Sequence, residues 1–194
     1  MGKGRMEAFS DGVFAIVITI MVLELKTPRD ADLQSLRPLL PVFLSYVLSF
    51  VHLAIYWNNH HHLLQAVRHV NGPILWANIH LLFWLTLVPF VTAWMGEHFA
   101  PLPVAVYGGV LILAAVAYFI LTRALVARHG RDSAIAAAVG RDDKGKVSVV
   151  IYAVAIPLAL VEPRLACALY VVVAVIWLLP DRRIEKVLGE REPA

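Results

Sequence analysis

Asp11 is the first residue whose type and place demand a chemical account. It lies in the stretch RMEAFSDGV (residues 5–13), which runs directly into the apolar segment FAIVITIMVLEL. A carboxylate within a membrane segment costs about 2.5–3.5 kcal/mol on insertion scales, so it must find partners or water. The histidines come next. The stretch YWNNHHHLLQAVRH supplies Trp57, Asn58, Asn59, His60, His61, His62 and His69, and a later apolar run adds Asn78 and His80. Tracts rich in histidine can bind metal. Consecutive residues on a helix point about 100° apart, however, so His60, His61 and His62 cannot converge on one ion. They also lack the i, i+4 spacing of zinc helices, and no cysteine pattern accompanies them. No metal site and no cofactor is expected, although haem held between two helices stays open as a third class of reading. A polar network is the favoured use of these side chains, with Asp11 and Arg5 satisfied by Trp57, His61 and Asn78. Phosphate-binding, nucleophile-elbow and zinc-protease motifs are absent, so no catalytic residue is assigned and an enzyme is not expected.

These residues must be held by membrane helices. Of 194 residues, 60% are hydrophobic and only 16% are charged, against about 45–50% and about 25% in a soluble domain. A bilayer span takes about 20 predominantly apolar residues. Six candidates fit, at about 6–25, 38–67, 73–95, 102–126, 147–161 and 164–180. The last two could be one helix, but it would run about 51 Å across a core of about 30 Å. It would also bury Glu162 and Arg164; two helices around VEPRL put both charges at an interface. With six spans, one side holds 13 Lys and Arg residues and the other only 4. The positive-inside rule then places both termini in the cytoplasm. The net charge of +3 reflects that asymmetry, and no nucleic-acid partner is expected. The opening residues do not resemble a signal peptide, because the apolar run is of spanning length and no small-residue cleavage site follows. Cys167, the single cysteine, reads as a small buried hydrophobe.

On the first helix Ile16, Thr19, Ile20 and Leu23 lie at i, i+3, i+4 and i+7, one continuous stripe. Asp11, Phe14 and Ile18 form a second stripe about 140° away from Ile16. Ionisable residues in membranes face the bundle interior, so Asp11 is expected to look toward its own chain's helices. Spacing alone leaves the first stripe open: it fits lipid contact, helix packing or a pore.

Arg5-x-x-x-Phe9-Ser10-Asp11, heading a spanning helix, resembles the transmembrane protein 175 family of potassium channels in its prokaryotic six-helix form. YWNNHHHLL, ANIHLLFWLTLVPFVTAW and LYVVVAVIWLLPDRR look like that family's second, third and last helices. The resemblance implies an all-α integral membrane protein, a single domain over residues 1–194, assembled as a homotetramer with the first helix lining a central pore. Animal relatives carry two repeats and pair as dimers; one repeat implies four copies. The resemblance also implies an apolar constriction at Ile16, a hydroxyl layer at Thr19 and a further apolar layer at Leu23, with Ile20 on the same side. Arg5, Phe9, Ser10 and Asp11 would form the polar network with Trp57, His61 and Asn78. No T-V-G-Y-G filter is present, so carbonyl-ring selectivity is unavailable. Glu24 could draw cations to the mouth, but nearby Lys26, Arg29 and Arg37 balance it.

The expected function is a potassium-permeable cation channel of the plasma membrane, contacting lipid and passing potassium and other monovalent cations. The alternative is a proton-coupled secondary transporter using Asp11 and the intramembrane histidines.

Overall fold

In hydrocarbon every backbone polar group must be satisfied within the chain, which leaves the helix as the spanning unit for a sequence of this pattern. The computed structural model describes residues 2–28, 30–130, 133–140 and 142–178. Its described residues are all-helical: α1 (Lys3–Leu23), α2 (Leu40–Gln65), α3 (Gly72–Thr86), α4 (Val88–Glu97), α5 (Pro101–His129), α6 (Ala134–Val139), α7 (Asp143–Ala159) and α8 (Pro163–Leu178). A 3-10 turn, Gln34–Leu39, leads into α2. Four segments are long and apolar enough to cross a membrane: Lys3–Leu23, Gln34–Gln65, Gly72–Glu97 and Pro101–His129; Pro163–Leu178 is a shorter apolar helix.

Eight α-helices therefore stand where six were expected, for two reasons. The run expected at 73–95 is interrupted at Leu87. Pro89 has no N–H to donate and its ring crowds the carbonyl four residues back, so the ladder breaks there. Leu87 N donates instead to Trp84 O at 3.2 Å, and the Thr86 and Thr92 hydroxyls donate to the carbonyls of Phe83 and Val88 at 2.7 and 2.6 Å. Secondly, the polar connection after α5 winds one short helix, α6, whose N-cap Ser133 accepts from Ala136 N at 3.2 Å. The charged tail from Asp181 onward, and the last two residues of the span expected at 164–180, lie outside the described residues.

α5 is the central post. It packs on α3, α4, α7 and α8, while α1 seats on α2, α3 and α4. At Gly108 an added methyl group would overlap the Tyr170 hydroxyl, which donates to Val104 O at 3.1 Å. Glycine is what lets α8 come that close. α5 ends at Gly130, whose φ of 90° suits a residue without a side chain. One residue earlier His129 faces back: its Nδ1 donates to Leu125 O at 2.9 Å, and its Nε2 accepts from Arg68 N and His69 N at 3.3 and 3.4 Å. That ring ties the end of α5 to the loop between α2 and α3.

Candidate functional site: the two sides of the first helix

α1 has a packed side and a bare side. Met6, Ser10, Phe14, Val17 and Met21 recur every three or four residues and are all buried, the stripe a helix turns toward its neighbours. On the other side Phe9 is 55% exposed, Ile16 58% and Leu23 79%. Gly12, Ala15, Thr19 and Ile20 are exposed with them. The expected pore stripe therefore lies where none of the described residues covers it. Thr19 is not a free hydroxyl donor: its Oγ1 lies 2.9 Å from both Ala15 O and Ile16 O. One proton serves those two carbonyls, so the oxygen's lone pairs are what Thr19 presents outward.

The polar side chains at the start of α1 fix its rotation against α2 and α3. Trp57 Nε1 donates to Asp11 Oδ1 at 3.0 Å. Asn78 Nδ2 donates to Ser10 Oγ at 3.0 Å, and Ser10 passes its own proton to Met6 O at 2.8 Å. Asn78 Oδ1 lies 2.7 Å from His60 Nε2, which donates to it. Ser10, His60 and Asn78 are all essentially buried. Three helices thus share one chain of hydrogen bonds, each donor matched to an acceptor. Phe14 lies against the His60 ring, centroids 5.8 Å apart.

Two expected members sit elsewhere. His61 stacks on Trp57, centroids 5.7 Å and planes 21° apart, and meets Gln65 at 2.9 Å; His60, one residue earlier, carries the link to Asn78. The signal was the phase of α2: His60 follows Leu53 by seven residues and precedes Leu64 by four, on its buried side. Arg5 is exposed, and its side chain makes no hydrogen bond or ion pair among the described residues. Six residues place it about 240° around the helix from Asp11, so the two cannot meet within one chain. Among the described residues no group of three His, Cys, Asp or Glu could hold a metal ion. Beyond the far end of α1, Lys26 donates to Glu97 Oε1 at the end of α4. That hydrogen bond and the carboxylate's charge raise the Lys26 pKa.

Over 191 residues this chain is 53% identical to a potassium channel from Chryseobacterium sp., covering 98% of this chain and all of that one. Residues 5–89 match the family described as endosomal/lysosomal potassium channel TMEM175. The chain belongs to the TMEM175 family. The fold agrees with that membership. It matches the crystal structure of a lysosomal potassium-selective TMEM175 homolog from Chamaesiphon minutus with a TM-score of 0.79, at 31% identity, over 91% of this chain and 96% of that one. A curated potassium channel from C. minutus is 37% identical over 125 residues, which span 59% of this chain and 62% of that relative. As a TMEM175 member with several apolar helices, the chain is a multi-pass membrane protein.

Proposed function

We propose that this chain is one subunit of a potassium-permeable cation channel in the plasma membrane, with α1 from each of four copies lining a central pore. The bare apolar side of α1 carries the proposal. It lies opposite a side tightly seated on α2, α3 and α4, as a helix between its own subunit and a shared axis must be. Six crossings follow if α3 and α4 count as one broken span beside α1, α2, α5, α7 and α8. The lysine and arginine asymmetry then puts both termini in the cytoplasm.

In this arrangement Ile16 forms the narrowest ring. A ring of isoleucines excludes water when it closes and strips part of a cation's hydration when it opens, and that cost differs between potassium and sodium. Thr19, one turn further along, offers four oxygens with outward lone pairs to the partly dehydrated ion. Ile20 narrows the same layer and Leu23 sits toward the wide end. Asp11 and Ser10, tied to Trp57, Asn78 and His60, keep the stripe aimed at the axis, with Arg5 and Phe9 on the side left for neighbouring copies. No cofactor takes part.

The deciding measurement is a planar-bilayer recording of the purified protein with potassium on one side and sodium on the other. Unitary current steps are expected; ion flux without steps would instead favour the proton-coupled transporter. Thr19→Val keeps the side-chain shape and removes the oxygen. A net hydrogen bond or its equivalent is worth about 1 kcal/mol, so the potassium-to-sodium permeability ratio should change about fivefold. An unmoved reversal potential in a conducting variant would remove Thr19 from the selectivity account.

A further inference from the structure

A cleft of about 430 Å³ lies among α2, α5, α7 and α8, and no residue of α1 lines it. α7 packs on α5 and α8, and α2 on α8, whereas α2 and α7 hardly touch. Three residues of its wall, Val116, Phe119 and Val150, are also 38, 47 and 62% exposed, so the cleft opens on the surface of the bundle. Most of the wall is aliphatic or aromatic, which favours hydrocarbon as its filling. The cleft runs along the helices toward the end where α1 begins. Lys3 Nζ donates to Gln65 O at the close of α2, and His129 ties the close of α5 to the loop after α2. Asp142 and Lys146, at the start of α7, mark the same end.

Polar groups are ordered along this cleft. Val116, Phe119 and Arg123 follow one another at i, i+3 and i+7, on one side of α5. Arg123 is exposed, and its guanidinium stands 5.8 Å from the centroid of the Phe119 ring. None of its N–H donors has an acceptor among the described residues. On α7, Lys146 lies 3.8 Å from Asp143 Oδ1, and Asp142 accepts from Gly145 N at 3.1 Å. Deeper in, Tyr56 and Tyr152 line the cleft with hydroxyls that have no partner among the described residues. Unlike His52 Nε2, neither oxygen is sealed off. Tyr56 lies three residues below Asn59 and Tyr152 six below Lys146, about 5 and 9 Å of helix. The headgroup layer of one leaflet is about 5–8 Å deep. Cation, hydroxyl donor and apolar wall thus succeed one another as do the phosphate, ester carbonyls and acyl chain of a glycerophospholipid.

We propose that the cleft holds a glycerophospholipid, its phosphate on Arg123, an ester carbonyl accepting from Tyr56 and one acyl chain between α2 and α7. Basic pockets between membrane helices take lipid headgroups in this way. The site rests on the reading of α7 and α8 as bilayer crossings and not on the pore. Its test uses the full chain in phosphatidylcholine nanodiscs. The photoprobe is a phosphatidic acid with a diazirine in its acyl chain, and the control is the diacylglycerol with the same chains. The two differ only in the phosphate, and the host lipid competes with both alike. Phosphatidic acid should label the cleft-lining peptides of α5 and α7 about fivefold more than the diacylglycerol, the factor one cation near a membrane surface supplies. Arg123→Gln alters an exposed side chain outside the core and should bring that ratio to about one. Tyr56→Phe should lower labelling by both probes alike, since both carry esters. Equal labelling by the two probes, or an unchanged ratio in Arg123→Gln, overturns the proposal while leaving α7 in the bilayer. An α7 that neither probe labels overturns it by taking that helix out of the bilayer.

Discussion

Ile16→Asn is expected to raise basal conductance at least about tenfold, because in the proposed tetramer four side chains change at once and about 1.4 kcal/mol off the barrier already gives that factor. Asparagine is smaller than isoleucine and brings an amide that holds water, so the proposed constriction, kept dry by its apolar ring, becomes wet. Ile16→Trp should act in the opposite sense and plug the pore, leaving current near the background of empty bilayers. The position is 58% exposed in the single chain, so neither substitution disturbs the chain's own core, and both variants should express as well as the parent. Single-channel recording in symmetric potassium reads both. If the two variants conduct as the parent does, Ile16 does not line the narrowest point and the proposed axis is wrong.

The second large effect is expected at Asn78. Asn78→Leu keeps the branch point and the number of side-chain heavy atoms but cuts the bridge between Ser10 and His60, leaving both buried without that partner. Hydrogen bonds inside membrane proteins average about 0.6 kcal/mol with a maximum near 1.7. Two lost bonds therefore cost about 1–3 kcal/mol. Melting of the detergent-solubilised protein, followed by size-exclusion chromatography, should show a lower midpoint and a shift toward small species. Asp11→Ala should produce a smaller loss of the same kind. Asp11→Asn keeps an oxygen for the Trp57 indole at the observed 3.0 Å and should melt near the parent. A stable, fully assembled Asn78→Leu protein would mean that the network does not hold α1 in place.

The sequence made α1 legible because one helix needs only its own 100° step. Phe14 and Ile16 are about 200° apart by that step, and in the fold Phe14 is 2% exposed and Ile16 58%. Trp57 and Asn78 could be paired with the start of α1 by type and depth alone. Choosing between His60 and His61 could not be done that way. Their directions differ by one 100° step, and the choice turns on the phase of α2, whose buried side runs through Leu53, His60 and Leu64. Arg5 stays apart from Asp11 within one chain for a simpler reason: six residues of the same 100° step carry it about 240° around the helix. The break at Leu87 was written in Pro89, but proline alone does not say whether a span bends or divides.

The link between Lys26 and Glu97 joins the exit of α1 to the exit of α4. Both partners are well exposed, and such pairs contribute little and weaken with salt. The screening length shrinks from about 10 Å at 0.1 M to about 3 Å at 1 M. Concentrated potassium chloride, chosen to enlarge small currents, would then loosen a strap at the end of the helix proposed to line the pore. A conductance–concentration curve for this protein is therefore not a pure titration of charge carriers. Its upper end also samples a more loosely tethered mouth, and the two contributions separate only when ionic strength is held constant with an impermeant salt.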